Sequence, residues 1–583
     1  MVRAENLNLK LVRTSPRTVI GALAALLLVA SCNQILGNQQ PSSDGMGGAG
    51  APSDSGGTSG SGGDEGDGPC AHGTFDHDSN PDTVCDSWSK CQPGQYVFEE
   101  GTPTTDRSCK ACGTGTFSDV QNATECAEWV DCEPGEYVDA AGTKEDDRQC
   151  EACPEEEYSA EDNADECEAW TDCGHPWKYA EMPNSTADAE CGAAIRQFGS
   201  PVGDDAARVA IDADGNVYVA GHTAGAIVGE SAGSSDGYVR KFDAHGALAW
   251  EEQFGSTGQD KVHDVAVDAA GNVYIVGETS GTLPGGTSTG GEDDAYVIKY
   301  GADGVRQATW QFRPITDNTR NAATSVAVDG EGNVYVAGTT WGGPTEEGVY
   351  LCKYDSTGTP VWTATDTVDQ ADTTSFMDPR TAVDQYGTAY LAWHKGFPGG
   401  LSDNAVARYT SSSTPDWTTH LNNLAADLFA PSLGVAAHDD SVYVVGYTTG
   451  GLNGDTFGGE DAYIIKYDAL GAQDWSHQFG GVEDDRVEDV AVDASGAVFV
   501  VGVTENDFVG TNQGGNDGFL RKYSLSGVEA WTQQWGTPSA DNALGVAPDG
   551  EGNAFVAGST AGELAAENPS GWPDFYVMLV EPP

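Results

Sequence analysis

The sequence predicts an all-β protein: a seven-bladed β-propeller whose N-terminal strand closes the last blade, preceded by a disulfide-rich repeat module. Three observations carry this. Variants of "DADGNVYVAGHT" (Asp212–Thr223) recur seven times, and twelve of the 14 cysteines lie between Cys70 and Cys191 with a 41-residue period. Ahead of the first propeller unit, "AAIRQFGS" (193–200) repeats a segment that later units carry at their ends, as in "AWEEQFGS" at Ala249. At 583 residues the chain exceeds one ordinary domain, and its composition divides it into four parts.

Residues 1–31 have the layout of a signal peptide: Arg3, Lys10, Arg13 and Arg17 precede an apolar run from Val19 to Ala30. That run is shorter than the roughly 20 residues a membrane-spanning helix needs. Its end, "VASC", resembles the bacterial lipobox, which implies that Cys32 is lipidated; ordinary secretion with cleavage nearby is the alternative. Asn33 stands where an inner-membrane retention signal often has Asp, so the expected location is the outer membrane, lipid-anchored and surface-exposed. Residues 32–69 then form the lipidated cysteine and a Gly/Ser-rich tether, too poor in apolar side chains to fold. Such a tether reaches about 30 Å.

With 27 Lys and Arg against 91 Asp and Glu, the formal charge is −64. This chain repels nucleic acid, so no nucleic-acid partner is expected. The acidic residues are spread along the sequence, which fits solubility; a role in binding cations is the alternative.

In residues 70–191, Cys85, Cys126 and Cys167 share the 41-residue step, as do Cys91, Cys132 and Cys173, then Cys109, Cys150 and Cys191, and also Cys112 with Cys153. A partial unit opens at Cys70. An even count in an oxidising compartment predicts disulfides. The "CxxC" pairs Cys109/Cys112 and Cys150/Cys153 leave zinc or redox chemistry as the alternative, although no histidine recurs with the repeat. The pattern resembles the cysteine-rich repeats of tumour-necrosis-factor receptors. That resemblance implies Cys91 bonded to Cys109 and Cys112 to Cys126, with a role in protein recognition or as a stalk. The third unit departs from the pattern with "CGHPWKYAEMPNSTADAEC", which suits a terminal cap.

Residues 192–583 carry the seven propeller units. Aligning the residue after each "VxV" gives Gly221, Gly277, Gly338, Trp393, Gly446, Gly502 and Gly558, spaced 53 to 61 apart. Each unit has four apolar segments of strand length between Gly, Asp and Asn turns. Such a four-stranded unit cannot bury both faces alone, so copies stack into a ring. "AAIRQFGS" supplies the strand that the seventh unit lacks. The repeats resemble bacterial SBBP propeller repeats, a likeness that adds fold and little function.

The Asp and Trp of turns such as "DAHGALAW" read as turn former and blade packing rather than a sialidase Asp-box. "DADGN" reads as an Asx-turn; it lacks the second half of a calcium loop, so no cofactor is expected and calcium is the alternative. No "GxSxG" or "HExxH" appears, and Cys352 reads as a small buried apolar residue. The loops joining strands 2 to 3 and strand 4 to the next blade share one face and vary in length, while the 1–2 and 3–4 turns on the other face are nearly constant. The variable face carries the candidate binding residues Asp204, Asp205, Asp293, Asp294, Glu483, Asp484, Asp485 and Asp541. The expected function is outward binding or adhesion to a protein or glycan. A hydrolase or lyase acting on polysaccharide and a purely structural envelope protein are the alternatives; an enzyme should show a tight polar cluster in the central channel.

Overall fold

The structure, a computed structural model, describes residues 70–79, 84–181, 184–191, 194–290, 292–314, 320–342, 346–369, 375–397, 401–421, 434–452, 457–565 and 573–583. Cys32, the leader and the tether lie outside these. Two compact units emerge, one reaching to Ser87 with Pro103–Thr105, the other Trp88–Thr102 with Asp106–Pro583. In the first, Thr74–Phe75 pairs with Asp86–Ser87 beside the Cys70–Cys85 disulfide.

In the second, the remaining repeat cysteines pair Cys91 with Cys109, Cys112 with Cys126, Cys132 with Cys150, Cys153 with Cys167 and Cys173 with Cys191. All twelve are therefore disulfide-bonded, and the two "CxxC" pairs are split between neighbouring loops. The recurring tryptophans cap their own units: Trp129 Nε1 donates to the Thr143 carbonyl at 2.8 Å and Trp170 Nε1 to that of Asn184 at 3.2 Å.

Seven four-stranded antiparallel sheets follow. Blade one is Asp204–Ile211, Val217–Thr223, Asp236–Phe242 and Leu248–Phe254, and blades two to six repeat that order from Asp260, Arg320, Ser375, Gly434 and Asp485. Blade seven takes Asp541–Pro548, Ala554–Thr560 and Asp574–Val580 from the C-terminus and Ile195–Phe198 as its outer strand, with Ile195 opposite Met578 and Phe198 opposite Phe575. The first strand of every blade touches the first strand of the next, and the seventh touches the first, so the ring is closed with these strands innermost. The hydrophobic core sits between blades: each of seven clusters joins two neighbours, as where Tyr218 and Val239 of blade one meet Val262 and Ile275 of blade two. Middle strands such as Val217–Thr223 are consequently buried on both faces.

The recurring "VxVxG" glycine is a packing requirement. Gly277 faces Tyr296 across the ladder, and the Tyr296 hydroxyl donates to the Lys261 carbonyl at 2.8 Å. A β-carbon on Gly277 would run into that same carbonyl. Blade four solves the problem by exchange, with Trp393 in the glycine's place and Ala405 in the tyrosine's. Gly277→Ala alone is therefore expected to cost about 3 kcal/mol in urea unfolding, because the obstacle is backbone. Cys352 is buried between blades two and three, and burial pushes its thiol up to about 11.

Candidate functional site

The turn aspartates consume their own oxygens. Asp212 Oδ1 accepts the amides of Asp214 and Asn216, both at 3.0 Å, and Oδ2 accepts the Tyr218 hydroxyl at 2.8 Å. Asp268 and Asp329 repeat the arrangement. This is an Asx-turn tied to the strand it precedes.

The candidate acidic residues divide in a way the sequence did not indicate. Asp204, Asp294, Asp485 and Asp541 were expected on the loop surface, yet all four are at most 5% exposed. The physical reason is a recurrent loop. Its amides fold back on the carboxylate that opens the strand: Ser200 N donates to Asp204 at 2.6 Å, Thr289 N to Asp294 at 2.8 Å, Gly481 N to Asp485 at 2.6 Å and Thr537 N to Asp541 at 2.6 Å. These side chains build the loop face from within. Asp205 lies on the first strand opposite His222. Asp293 is partly exposed and paired with Arg320 at 3.5 Å.

Among the described side chains, only the loop leading into blade six brings candidate residues together at the surface. Glu483 is exposed; Asp484 accepts the Glu460 amide at 3.0 Å and pairs with Arg486 at 2.9 Å. The amides of Val482 and Glu483 donate to Asn506 Oδ1 at 3.0 and 3.1 Å, which stitches this loop to the next. Phe457, Val482 and Val509, 47%, 75% and 56% exposed, sit on the three loops so joined. Glu483, Glu505 and Asp507 on these loops are exposed as well.

A second cluster lines the channel. Four residues before each turn aspartate or its equivalent stand Arg208, Asp264, Ser325, Arg380, Gly434, Asp489 and Gly545. Most of the first strands bulge just before this position, which frees backbone groups from the ladder. The charges satisfy those groups on the neighbouring blade. Arg380 donates to the Thr324 carbonyl at 2.8 Å and Asp264 accepts the Val326 amide at 2.9 Å, both on blade three. On blade seven, Arg208 donates to the Leu544 carbonyl and Asp489 accepts the Val546 amide at 3.1 Å. Burial pushes the Asp489 carboxyl up to about 6, against the pull of the Arg208 guanidinium. This ring was missed because its residue type changes in every blade. Its signal was the variable position in "RVAID", "DVAVD", "SVAVD" and "RTAVD".

The face with the short turns carries something else: the last cysteine-rich unit. Trp177 is fully buried there, with its ring centroid 4.8 Å from Phe555 of blade seven and 5.6 Å from Phe242 of blade one. Arg196 lies over it at 5.3 Å, and Lys178 pairs with Glu581. Elsewhere a blade's own outer-strand tryptophan covers the next blade's 3–4 turn glycine, as Trp250 covers Gly304 and Trp475 covers Gly527. The closing strand has Ala194 at that position, and Trp177 covers Gly246 in its stead. Nearby, His175, Asp549 and Glu551 each bring a ligand atom within 4.8 Å of the others. His175 Nδ1 accepts the Trp177 amide at 3.2 Å, so the neutral ring carries its proton on Nε2, toward Asp549. That tautomer works against metal ligation through Nε2.

Among the described residues no helix is long and apolar enough to cross a membrane. Residues 70–109 and 112–150 match the family model of the TNFR/NGFR cysteine-rich region, and residues 195–227, 250–284, 321–344 and 530–564 match that of the SBBP beta-propeller repeat. The chain is 26% identical over 364 residues to Regulatory protein FlaEY of Caulobacter vibrioides, an alignment that takes in 58% of this chain and 34% of that protein. It therefore spans about a third of that relative's length. Similar solved structures include a protein of unknown function from Dyadobacter fermentans (12% identity, TM-score 0.35, 67% of this chain and 99% of that one) and the Hadza microbial sialidase Hz136 (9%, TM-score 0.32, 60% and 74%). The chain joins cysteine-rich repeats of the TNFR/NGFR type to a seven-bladed propeller of SBBP-type repeats.

Proposed function

We propose that the protein is a lipid-anchored surface protein of the bacterial outer membrane that binds a protein or glycan through the loop face of its propeller. The observation that carries this reading is the docking of Trp177 on the turn face. With the cysteine-rich stalk attached there, the face with the variable loops points away from it, and that face carries the exposed side chains of Phe457, Val482 and Val509. Rigid scaffolds commonly place recognition on such loops. The test is a screen of residues 70–583 on protein and glycan arrays. Val482→Ala with Glu483→Gln, both exposed, is expected to weaken the partner found about tenfold, whereas Asp212→Asn should change stability alone. Binding lost through Asp212→Asn in a folded protein would assign recognition to the other face.

A hydrolase or lyase acting on polysaccharide is the second reading. It is favoured by the polar cluster that Arg208, Asp264, Arg380 and Asp489 form on the innermost strands, where burial holds the Asp489 carboxyl above the usual carboxylate range. Cleaved products on the same glycan array, lost in Asp489→Asn, would support it.

A further inference from the structure

The seams between blades can be compared at two positions in fixed register: the third-strand residue of one blade and the first-strand residue of the next, each opposite the threonine that follows the "VxVxG" segment or its equivalent. Between blades one and two these are Asp236 and Asp260; between five and six, Asp461 and Asp485. The pairs Asp574 with Asp204 and Asp517 with Asp541 repeat the arrangement at the seams flanking blade seven. All eight side chains are buried. Two buried carboxylates side by side repel each other and cost desolvation twice, so nothing in packing alone explains why they recur together.

Two other seams depart from this pattern; between blades four and five Asp403 holds the third-strand position, and its first-strand counterpart lies outside the described residues. Between blades three and four the two positions hold Gly348 and Phe376, with no carboxylate at either. Between blades two and three, Asp294 remains, but its counterpart is Asn321. In that seam Arg313 occupies the place that glycine holds in the four acidic seams, and its Nε donates to Asp294 Oδ1 at 2.9 Å. One carboxylate there has one built-in positive charge.

Two of the acidic seams, one–two and five–six, also leave oxygens unsatisfied, whereas at the six–seven seam Gln513, Gln534, Thr537 and Thr560 supply partners to Asp517 and Asp541. Asp236 and Asp461 give Oδ2 to loop amides, from Ala232 at 2.7 Å and Phe457 at 2.9 Å. Oδ1 of each is buried without a hydrogen-bond partner. At the five–six seam, Asp461 Oδ1 and Asp485 Oδ2 lie 2.6 and 2.9 Å from the point where a β-carbon on Gly480 would stand. At the one–two seam, Asp236 Oδ1 crowds the same point on Gly255 and Asp260 Oδ2 is 3.2 Å from it. Oxygens of both carboxylates thus converge over the glycine. Burial first, with the facing aspartate adding to it, holds Asp260 and Asp485 above the usual carboxylate range.

We propose that each of the four acidic seams holds a hard divalent cation of the calcium class between its paired carboxylates, and that the Arg313 guanidinium takes the same place where one carboxylate has become asparagine. Both arrangements balance charge: two carboxylates against a divalent ion, one against a guanidinium. All-oxygen carboxylate ligation suits calcium.

The test counts metal in the full chain, equilibrated with calcium and desalted, alongside its melting temperature with calcium and with chelator. One ion per acidic seam and a rise of about 10 °C over the chelated state are expected. Asp461→Asn should remove one ion and part of the rise. The double substitution Arg313→Gly with Asn321→Asp should add one, a gain that misfolding cannot imitate. Absence of bound ion and of any calcium-dependent shift overturns the proposal, and a fall in melting temperature as pH rises toward neutrality would then indicate a shared proton in the seam. Bound ions whose number is the same in Asp461→Asn also overturn it, since they would belong to the acidic surface.

Discussion

A fragment starting at Pro201 is expected to lose about 5 kcal/mol relative to one starting at residue 192, and to associate at high concentration. The deletion removes the outer strand of blade seven, Ile195–Phe198, and with it the ring of Phe198, which packs 5.8 Å from Phe575 and 6.0 Å from Tyr238. Asp574–Val580 would then present an open edge, and exposed edges pair with other chains. Gln197 adds to the loss: its side chain receives the amides of Leu564 and Ala565 and donates to Asp574. Calorimetry and sedimentation of the two fragments check this. Identical transitions would mean that the strand is dispensable.

The second large effect is expected from Trp177→Ala, at about 4 kcal/mol by chemical denaturation. The ring fills the cluster between blades seven and one, so its loss leaves a cavity against Phe242 and Phe555. Trp170→Ala is the control. Its indole nitrogen bonds within its own unit, and the propeller transition should not move. A sharper check follows from the vacancy that Trp177 fills. Ala194→Trp puts the indole where blades one and five carry Trp250 and Trp475, and in the Trp177→Ala background it should restore part of the lost stability. Failure of that rescue would separate the role of Trp177 from that of the blade tryptophans.

The blade architecture was legible because its determinants repeat. Asp212 and its equivalents, the "VxVxG" glycines and the "DAYV" tyrosines recur at nearly fixed spacing, and each answers to one local constraint that every blade shares. What failed to show were constraints met differently in each copy. The channel ring uses Arg208, Asp264, Ser325 and Arg380 at one position, since each blade needs whatever satisfies its neighbour's bulge. Asp204, Asp485 and Asp541 were misplaced for another reason. Charge in a sequence usually marks surface, and only the loops folding their amides inward make burial of these carboxylates tolerable. The departure of the third cysteine-rich unit was visible in "HPWKYA", but nothing local to that segment says that its tryptophan belongs to the core of another domain.

Closure of the ring by Ile195–Phe198 also sets an order of events during synthesis. Its partner, Asp574–Val580, is the last of the propeller's strands to be made, so the first strand of the propeller waits unpaired while all the others emerge. Blades one to six can assemble as they appear, each against its predecessor, but cooperative closure must await Asp574–Val580, a long-range contact of the kind that slows folding. A truncation of even the final dozen residues should therefore fail late, leaving six complete blades and two mismatched ends for proteases and chaperones to find.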